Sequence, residues 1–324
     1  MINLDKKDRK ILYQLDLDSR QTVTQIGKKT NIKKDVVSYR IKKLIEKGII
    51  KNFYTVIDSS KLGYTSFRIY LIFQRTNPEI EKEIVNYFVE NKYTWLVCSL
   101  KGRYDHDVIL WVKEINDFYS FWRRTIQKYH QYFQNQIVSI YNQSLTYRNS
   151  YLLKDEYSKA DRVKYEIVGG GKKVKIDDLD FKILKILASN TRISTVKIAE
   201  ILNSTSITIK NRIKNLMKLD VIQGFRVNID FSKLGYYFYK AEIQLEDYKK
   251  RDEIINHITK NAHLTMIDES VGVADLEFDF IVENVNIFYD IMNDLSNKFP
   301  GAIKNYKYFD VSKIHKLIYL PEIE

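Results

Sequence analysis

Lys33, Lys34, Ser38, Tyr39, Arg40, Lys42 and Lys43 crowd into the single stretch Asn31–Lys47 (NIKKDVVSYRIKKLIEK). Cations at that density neutralise phosphate oxygens, while serine and tyrosine hydroxyls exchange hydrogen bonds with base edges. Spacing decides whether they can act together. Val37, Ile41 and Leu44 recur at i, i+4 and i+7, which predicts a helix with one narrow apolar stripe turned to a core. The lysines and both hydroxyls are left on the other faces, with Arg40 beside the stripe. Such a helix suits the major groove of double-stranded DNA. A surface helix with a solvated basic face has the same pattern, so the neighbouring segments carry the distinction.

Those neighbours are informative. Thr22–Thr30 (TVTQIGKKT) predicts a short helix with Thr22 as N-cap and Ile26 inward, and only a few residues join it to the basic helix. Leu4–Leu17 predicts an earlier helix that buries Ile11, Leu12 and Leu15. Gly48 stands where a helix ends. Ile49–Ile57 (IIKNFYTVI) is rich in β-formers, with a turn expected at Lys51-Asn52. The order is that of a winged helix-turn-helix.

Three segments, LDKKDRKIL (Leu4–Leu12), RIKKLIEKGII (Arg40–Ile50) and IDSSKLGY (Ile57–Tyr64), follow one another as in the Lrp/AsnC transcription regulators, and the chain resembles that family. The resemblance implies a DNA-reading domain followed by an effector-binding and oligomerisation domain whose sheets pack back to back in dimers. One departure is Lys33, where the family usually places a Ser or Thr cap.

The pattern occurs twice. A shift of 172 positions lays Asp8 on Asp180, Arg20 on Arg192, Ile26 on Ile198, Arg40-Ile41-Lys42 on Arg212-Ile213-Lys214, and Ser60–Tyr64 on Ser232–Tyr236. The chain is therefore a tandem duplication. After each winged helix the order strand, helix, strand, strand, helix, strand predicts a ferredoxin-like βαββαβ domain, and Tyr239–Glu246 alternates as a strand with one solvated side. The expected organisation is α+β: winged helices at 1–64 and 176–236, ferredoxin-like domains at 65–150 and 237–324, and a flexible linker at 151–175 containing Gly169-Gly170-Gly171. The two ferredoxin-like domains are expected to pair within the chain as a pseudo-dimer, with further self-assembly open. In the second copy the reading face would offer Ser206, Lys210, Asn211, Arg212 and Lys214.

Each second domain carries a tight Gly-x-x-Asp turn, at Gly102–Asp105 and Gly272–Asp275. Glycine lets backbone N–H groups approach a carboxylate and aspartate accepts from an ammonium, yet both residues also suit a plain hairpin turn. In the resembled family similar turns lie near an amino-acid effector pocket, which makes these four residues effector-site candidates.

Charge supports the division of labour. Of a net +12, residues 4–64 hold 15 Lys and Arg against 7 Asp and Glu, residues 176–236 hold 10 against 6, and residues 237–324 hold 10 against 16. Phosphate contact thus belongs to the first winged helix above all, and not to the acidic last quarter. Cys98 is the sole cysteine, which excludes intrachain disulfides and thiolate metal clusters. The five scattered histidines lack ligand spacing, so no metal or cofactor is expected. Trp95, Trp111 and Trp122 sit at core spacing. No apolar run suits a membrane span and the N-terminus lacks signal-peptide character, so a cytoplasmic, membrane-free protein is expected. A rival reading comes from sirohaem decarboxylases, which share this build, sometimes as two fused units, and hold tetrapyrrole carboxylates with Arg and His. Here Arg103 and His106 share one turn, but the second copy has Val273 and Leu276 instead.

Overall fold

The computed structural model describes residues 2–153, 156, 162 and 165–321. The first copy runs α1 (Lys6–Leu17), α2 (Val23–Thr30), α3 (Lys34–Glu46), β1 (Ile50–Ile57), then β2 (Thr65–Phe73), α4 (Pro78–Glu90), β3 (Thr94–Gly102), β4 (His106–Val112), α5 (Ile115–Tyr129) and β5 (Phe133–Tyr147). After β6 (Tyr165–Gly169) the second copy repeats the order: α6 (Asp178–Ser189), α7 (Thr195–Ile201), α8 (Ser206–Lys218), β7 (Ile222–Ile229), β8 (Tyr237–Leu245), α9 (Arg251–Ile258), β9 (Leu264–Val271), β10 (Leu276–Val282), α10 (Val285–Lys298) and β11 (Ile303–Leu317).

Local chemistry starts the helices. Thr22 and Gln25 form a capping box ahead of α2, and Asn77 caps α4, whose first residue is Pro78. The predicted stripes are buried: Ile11, Leu12, Leu15, Ile26, Val37, Ile41 and Leu44 meet in one core. β1 differs from expectation. It is unbroken, because Lys51 forms a bulge instead of a turn, and it pairs antiparallel with β7 of the other copy. The two expected wings are thus the two strands of one ribbon. Tyr54 faces Arg226 in it, and these are equivalent positions in the repeat, so the pseudo-two-fold axis passes between them.

The ferredoxin-like halves have sheet orders β5-β2-β4-β3 and β11-β8-β10-β9. β5 and β11 are long enough to leave their own sheet. β5 pairs first with β2 and then, from Ile140, with β9; β11 pairs first with β8 and then, from Phe309, with β3. Eight strands close into a ring, and the sheets that the resemblance would stack back to back are also joined at both edges, leaving few backbone groups unpaired.

The expected solvated side of Tyr239–Glu246 is a second difference. Lys240 and Glu242 are 2% and 3% exposed, because that side faces the ring interior. The third concerns 151–175. Tyr151 and Leu152 are buried in the first core, and β6 pairs with β5. Gly169 has φ +113, and a Cβ there would meet the Asn142 carbonyl oxygen at 2.3 Å, so glycine is needed for this close approach. Of the expected linker, 154–155, 157–161 and 163–164 lie outside the described residues.

A buried ionic network joins these parts. The Arg226 guanidinium donates to both Asp16 carboxylate oxygens at 2.7–2.9 Å and to the Tyr147 carbonyl at 2.8 Å, and it pairs with Glu166 at 3.3 Å. Glu166 also pairs with Arg148. Asp16→Leu alone should destabilise the fold by about 3–5 kcal/mol in denaturant unfolding, since it strands a buried cation, whereas Asp16→Leu with Arg226→Met should recover most of that loss.

Candidate nucleic-acid interface

The first recognition helix presents a coherent outer surface. Val37, Ile41 and Leu44 are 0%, 7% and 3% exposed, while Lys33, Lys34, Ser38, Tyr39, Lys42 and Lys43 all lie on the solvent side. Tyr39 is 61% exposed, with the Lys43 ammonium 5.8 Å from its ring centre. Glu46 pairs with Lys43 at 2.9 Å and reaches Lys42 at 4.0 Å, which tempers those two charges. Lys33 makes no side-chain cap, whereas in the second copy Thr205 accepts from the Thr208 N–H at 3.1 Å.

The two candidate arginines are placed otherwise. Arg40 Nη1 donates to Asp5 at 2.7 Å and Asp8 at 2.8 Å, and Arg212 Nη1 donates to Asp177 at 2.6 Å and Asp180 at 3.2 Å. Hydrogen bonds to Asp8 and Asp5 outweigh partial burial and raise the Arg40 pKa. These guanidinium groups tie the first helix of each winged domain to its recognition helix, an engagement that competes with phosphate contact. On α8, Lys210, Asn211 and Lys214 are exposed and Ser206 is half-buried at its start. Ile207, 71% exposed, stands where α3 carries Asp35.

The two helices are held as a pair. Arg20 Nη1 donates to the Thr191 carbonyl at 2.6 Å, and Arg192 Nη1 returns the contact to the carbonyls of Ser19 and of Gln21, the latter at 3.1 Å. Each guanidinium also lies 5.3 Å from the other copy's phenylalanine ring, Phe225 for Arg20 and Phe53 for Arg192. With the ribbon, this reciprocal clasp fixes both recognition helices to one frame.

The Gly-x-x-Asp turns have a local explanation. Asp105 accepts from the Phe73 N–H at 2.6 Å and Asp275 from the Leu245 N–H at 2.8 Å, pinning each turn to a strand end. Gly102 and Gly272 both have φ +123, which favours glycine irrespective of any ligand. Gly272 and Asp275 border a depression of about 380 Å³ with Gln244 and Lys304.

A larger space was missed at the sequence level. Between the ribbon and the inner faces of the ring lies a chamber of about 570 Å³. Its signal was present as Arg68, Lys240, Asp268 and Asp279 inside strands that also bury apolar residues, but alternation alone does not say that the polar side faces another sheet. Arg68 Nη1 pairs with Glu277 at 2.5 Å and Nη2 with Asp268 at 3.2 Å, while Lys240 Nζ pairs with Asp268 at 2.5 Å and Asp279 at 2.9 Å. Burial pushes the Asp107 and Asp279 carboxyls up to about 6 despite these cations.

Known proteins match this geometry. A winged helix-turn-helix DNA-binding family model matches residues 4–51 and again 176–223. An uncharacterized HTH-type transcriptional regulator of Pyrococcus furiosus is 40% identical over 109 residues, 34% of this chain and 71% of that protein. The HTH-type transcriptional regulator LrpA of Pyrococcus horikoshii is 31% identical over 114 residues, 35% of this chain and 79% of its own. The chain belongs to the Lrp/AsnC family. Unlike those relatives, which it matches over about a third of its length, this Lrp/AsnC chain contains two copies of the unit. The siroheme decarboxylase NirDL is similar across 98% of this chain and 95% of its own, with a TM-score of 0.64 and 12% identity, a likeness of fold alone. No helix among the described residues is long and apolar enough to cross a membrane.

Two outcomes follow from the geometry. Lys42→Ala should weaken binding to every DNA sequence and lower the salt slope by about one unit, whereas Arg40→Ala should lower thermal stability with little change in slope. For Asp107, the raised carboxyl keeps its proton in the folded state between about pH 4 and 6, where the unfolded chain has lost it, so stability from this group falls as pH rises through that window. Asp107→Asn should therefore raise the unfolding midpoint near about pH 7.5, and the gain should vanish near about pH 4.

Proposed function

We propose that this protein is a sequence-specific transcription regulator in which one chain supplies two unlike DNA-reading helices and responds to a small effector. The observation that carries the reading is the pair of recognition helices fixed to one frame with different outer faces. The first offers Lys33, Lys34, Ser38, Tyr39, Lys42 and Lys43. The second offers Ser206, Lys210, Asn211 and Lys214, with Ile207 exposed beside them. Lysine suits guanine O6 and N7, asparagine suits adenine, and an aliphatic side chain suits a thymine methyl. Two identical helices related by a two-fold axis read a palindrome; two different ones read an asymmetric site. The effector part rests on the family and on the Gly-x-x-Asp turns, of which the one at Gly272 and Asp275 has space beside it.

A second reading, a tetrapyrrole decarboxylase, has the whole-chain likeness to NirDL in its favour. The residues it would use are otherwise engaged. Arg103 pairs with the buried Glu242 at 3.2 Å, and His106 Nδ1 lies 3.2 Å from the Cys98 carbonyl, with burial lowering its pKa. Incubation with sirohaem should give no saturable Soret shift, and a saturable one would favour the enzyme.

Selection of fragments from a random DNA pool, followed by footprinting, tests the main reading. Two unlike half-sites spaced by about one helical turn or a multiple are expected. Ser38→Ala or Tyr39→Ala should alter only one half-site, and Lys210→Ala or Asn211→Ala only the other. A palindromic site, or protection of one half alone, would overturn the two-reader arrangement, and no affinity for DNA at low salt would overturn regulation by DNA binding.

A further inference from the structure

The chamber between the two sheets has a charge problem that its own residues do not solve. Equivalent positions in the repeat place Arg68 opposite Lys240 and Asp107 opposite Glu277, a balanced set. The second copy then adds Asp268 and Asp279 where the first has Cys98 and Ile109. Two cations face four carboxylates, all 5% exposed or less. Lys240 Nζ is already shared among Asp268, Asp279 and, at 3.4 Å, Glu277, and Arg68 Nε reaches Asp107 only at 3.3 Å and off line. Among the described residues, three buried polar atoms on the chamber wall have no hydrogen-bond partner: Asp107 Oδ1, an acceptor, and Trp95 Nε1 and Arg68 Nε, both donors. A buried acceptor and donor left open in this way each cost free energy until something meets them.

Their placement gives the missing group a shape. Asp107, Ile109 and Trp111 share one face of β4, so the charged end and the tryptophan end are roughly 13 Å apart at the usual strand rise. Trp95 stacks on Trp111 with ring centres 5.0 Å apart. Between the two ends the wall is apolar, with Ile109, Met266, Ile281 and Val311. A volume of about 570 Å³ is in the range of small-molecule sites, and its few polar groups sit at the ends.

We infer that this chamber binds an elongated organic cation, with its ammonium group between Asp107 and Asp279, its apolar body along Ile109, Met266 and Ile281, and a hydrogen-bond acceptor opposite Trp95 Nε1. The acid excess selects against carboxylate-rich ligands, a polycarboxylated tetrapyrrole among them. The groups around Asp107 are Arg68 on β2, Cys98 on β3, Lys240 on β8, Asp268 on β9, and Glu277 and Asp279 on β10. Since Asp107 and Asp279 ionise near pH 6, affinity for the cation should rise from about pH 5 to about pH 7. The ribbon strands β1 and β7 line the same chamber through Thr55, Ile57, Val227 and Ile229. An effect of the ligand on DNA affinity follows from that contact and rests on the regulator reading.

Binding is tested on the intact chain without DNA, so that it fails or stands separately from regulation. Tryptophan fluorescence is titrated with octylamine, octanol and octanoate, and with the amino alcohol that adds a hydroxyl at the far end of octylamine. Octylamine should saturate about ten-fold or more tighter than octanol, with octanoate weakest and the amino alcohol tightest. Asp107→Asn should cost octylamine about ten- to a hundred-fold while leaving octanol unchanged, which also reports an intact chamber. Asp279→Asn should give a loss of the same sign. Trp95→Phe should remove only the advantage of the amino alcohol. Octanoate binding as well as octylamine, an amine preference that survives both aspartate substitutions, or no saturable response to any of the probes would overturn the proposal.

Discussion

The position on the pseudo-two-fold axis is the constraint on which the arrangement depends. Tyr54 and Arg226 are equivalent in the repeat and face each other in the ribbon. Two arginines there would set two buried guanidinium groups side by side, and two tyrosines would leave Asp16 without its cation. The duplicated chain places one of each. Arg226 turns to Asp16, whose equivalent is Ala188, and to Glu166 on the segment between the copies. Tyr54 stacks instead on Tyr319, ring centres 4.4 Å apart. A homodimer of one unit has no means of making this asymmetric contact, because every residue on its axis meets its own copy. Fusion is what allows the axis to be filled by a charge balanced from one side.

The same freedom explains why divergence concentrates where it does. Residues that hold each winged helix together are kept in both copies: the buried stripes, Arg40 and Arg212 with their aspartate pairs, and Arg20 and Arg192 in their reciprocal clasp. Of the residues that point outward from the recognition helices, Lys42 recurs as Lys214, whereas Lys34, Ser38, Tyr39 and Lys43 give way to Ser206, Lys210, Asn211 and Asn215. Within the ring the pattern repeats, with Arg68 and Lys240 conserving a charge while Cys98 and Ile109 give way to Asp268 and Asp279. Contacts made twice are constrained twice; surfaces and chamber walls made once in each copy are free to specialise.

Much of this was legible beforehand. The stripe Val37, Ile41, Leu44, the capping residue Thr22 and the proline at the start of α4 are local signals, and local signals set helices. The duplication was legible because register survives divergence. What was not legible is where polar residues go when both sides of a strand are covered. Lys240 and Glu242 alternate as solvated residues would, and only the presence of a second sheet turns them inward. The pairing of Arg40 with Asp5 and Asp8 was likewise hidden, because those aspartates lie more than thirty positions away in the chain. The strand β6 was hidden for a related reason: Gly169 signals flexibility by composition, whereas its φ and its closeness to Asn142 show it filling a place that only a glycine fits.

The ribbon connects these observations into one mechanical unit. Ile57 belongs to the second winged helix's core, while Val227 and Ile229 belong to the first's, so each strand carries the other copy's packing. All three residues also face the chamber. A two-stranded ribbon tied down by Arg20, Arg192 and Arg226 has no slack by which one strand moves without the other. Any change of packing in the chamber that displaces the ribbon therefore acts on both recognition helices together, shifting the frame and leaving the spacing between the helices intact. A site read by two unlike helices requires that spacing to be held, since a change would break the register with both half-sites at once. In the proposed regulator the charged chamber and the asymmetric axis are the two ends of a single element, one to take up a ligand and the other to keep the readers in step.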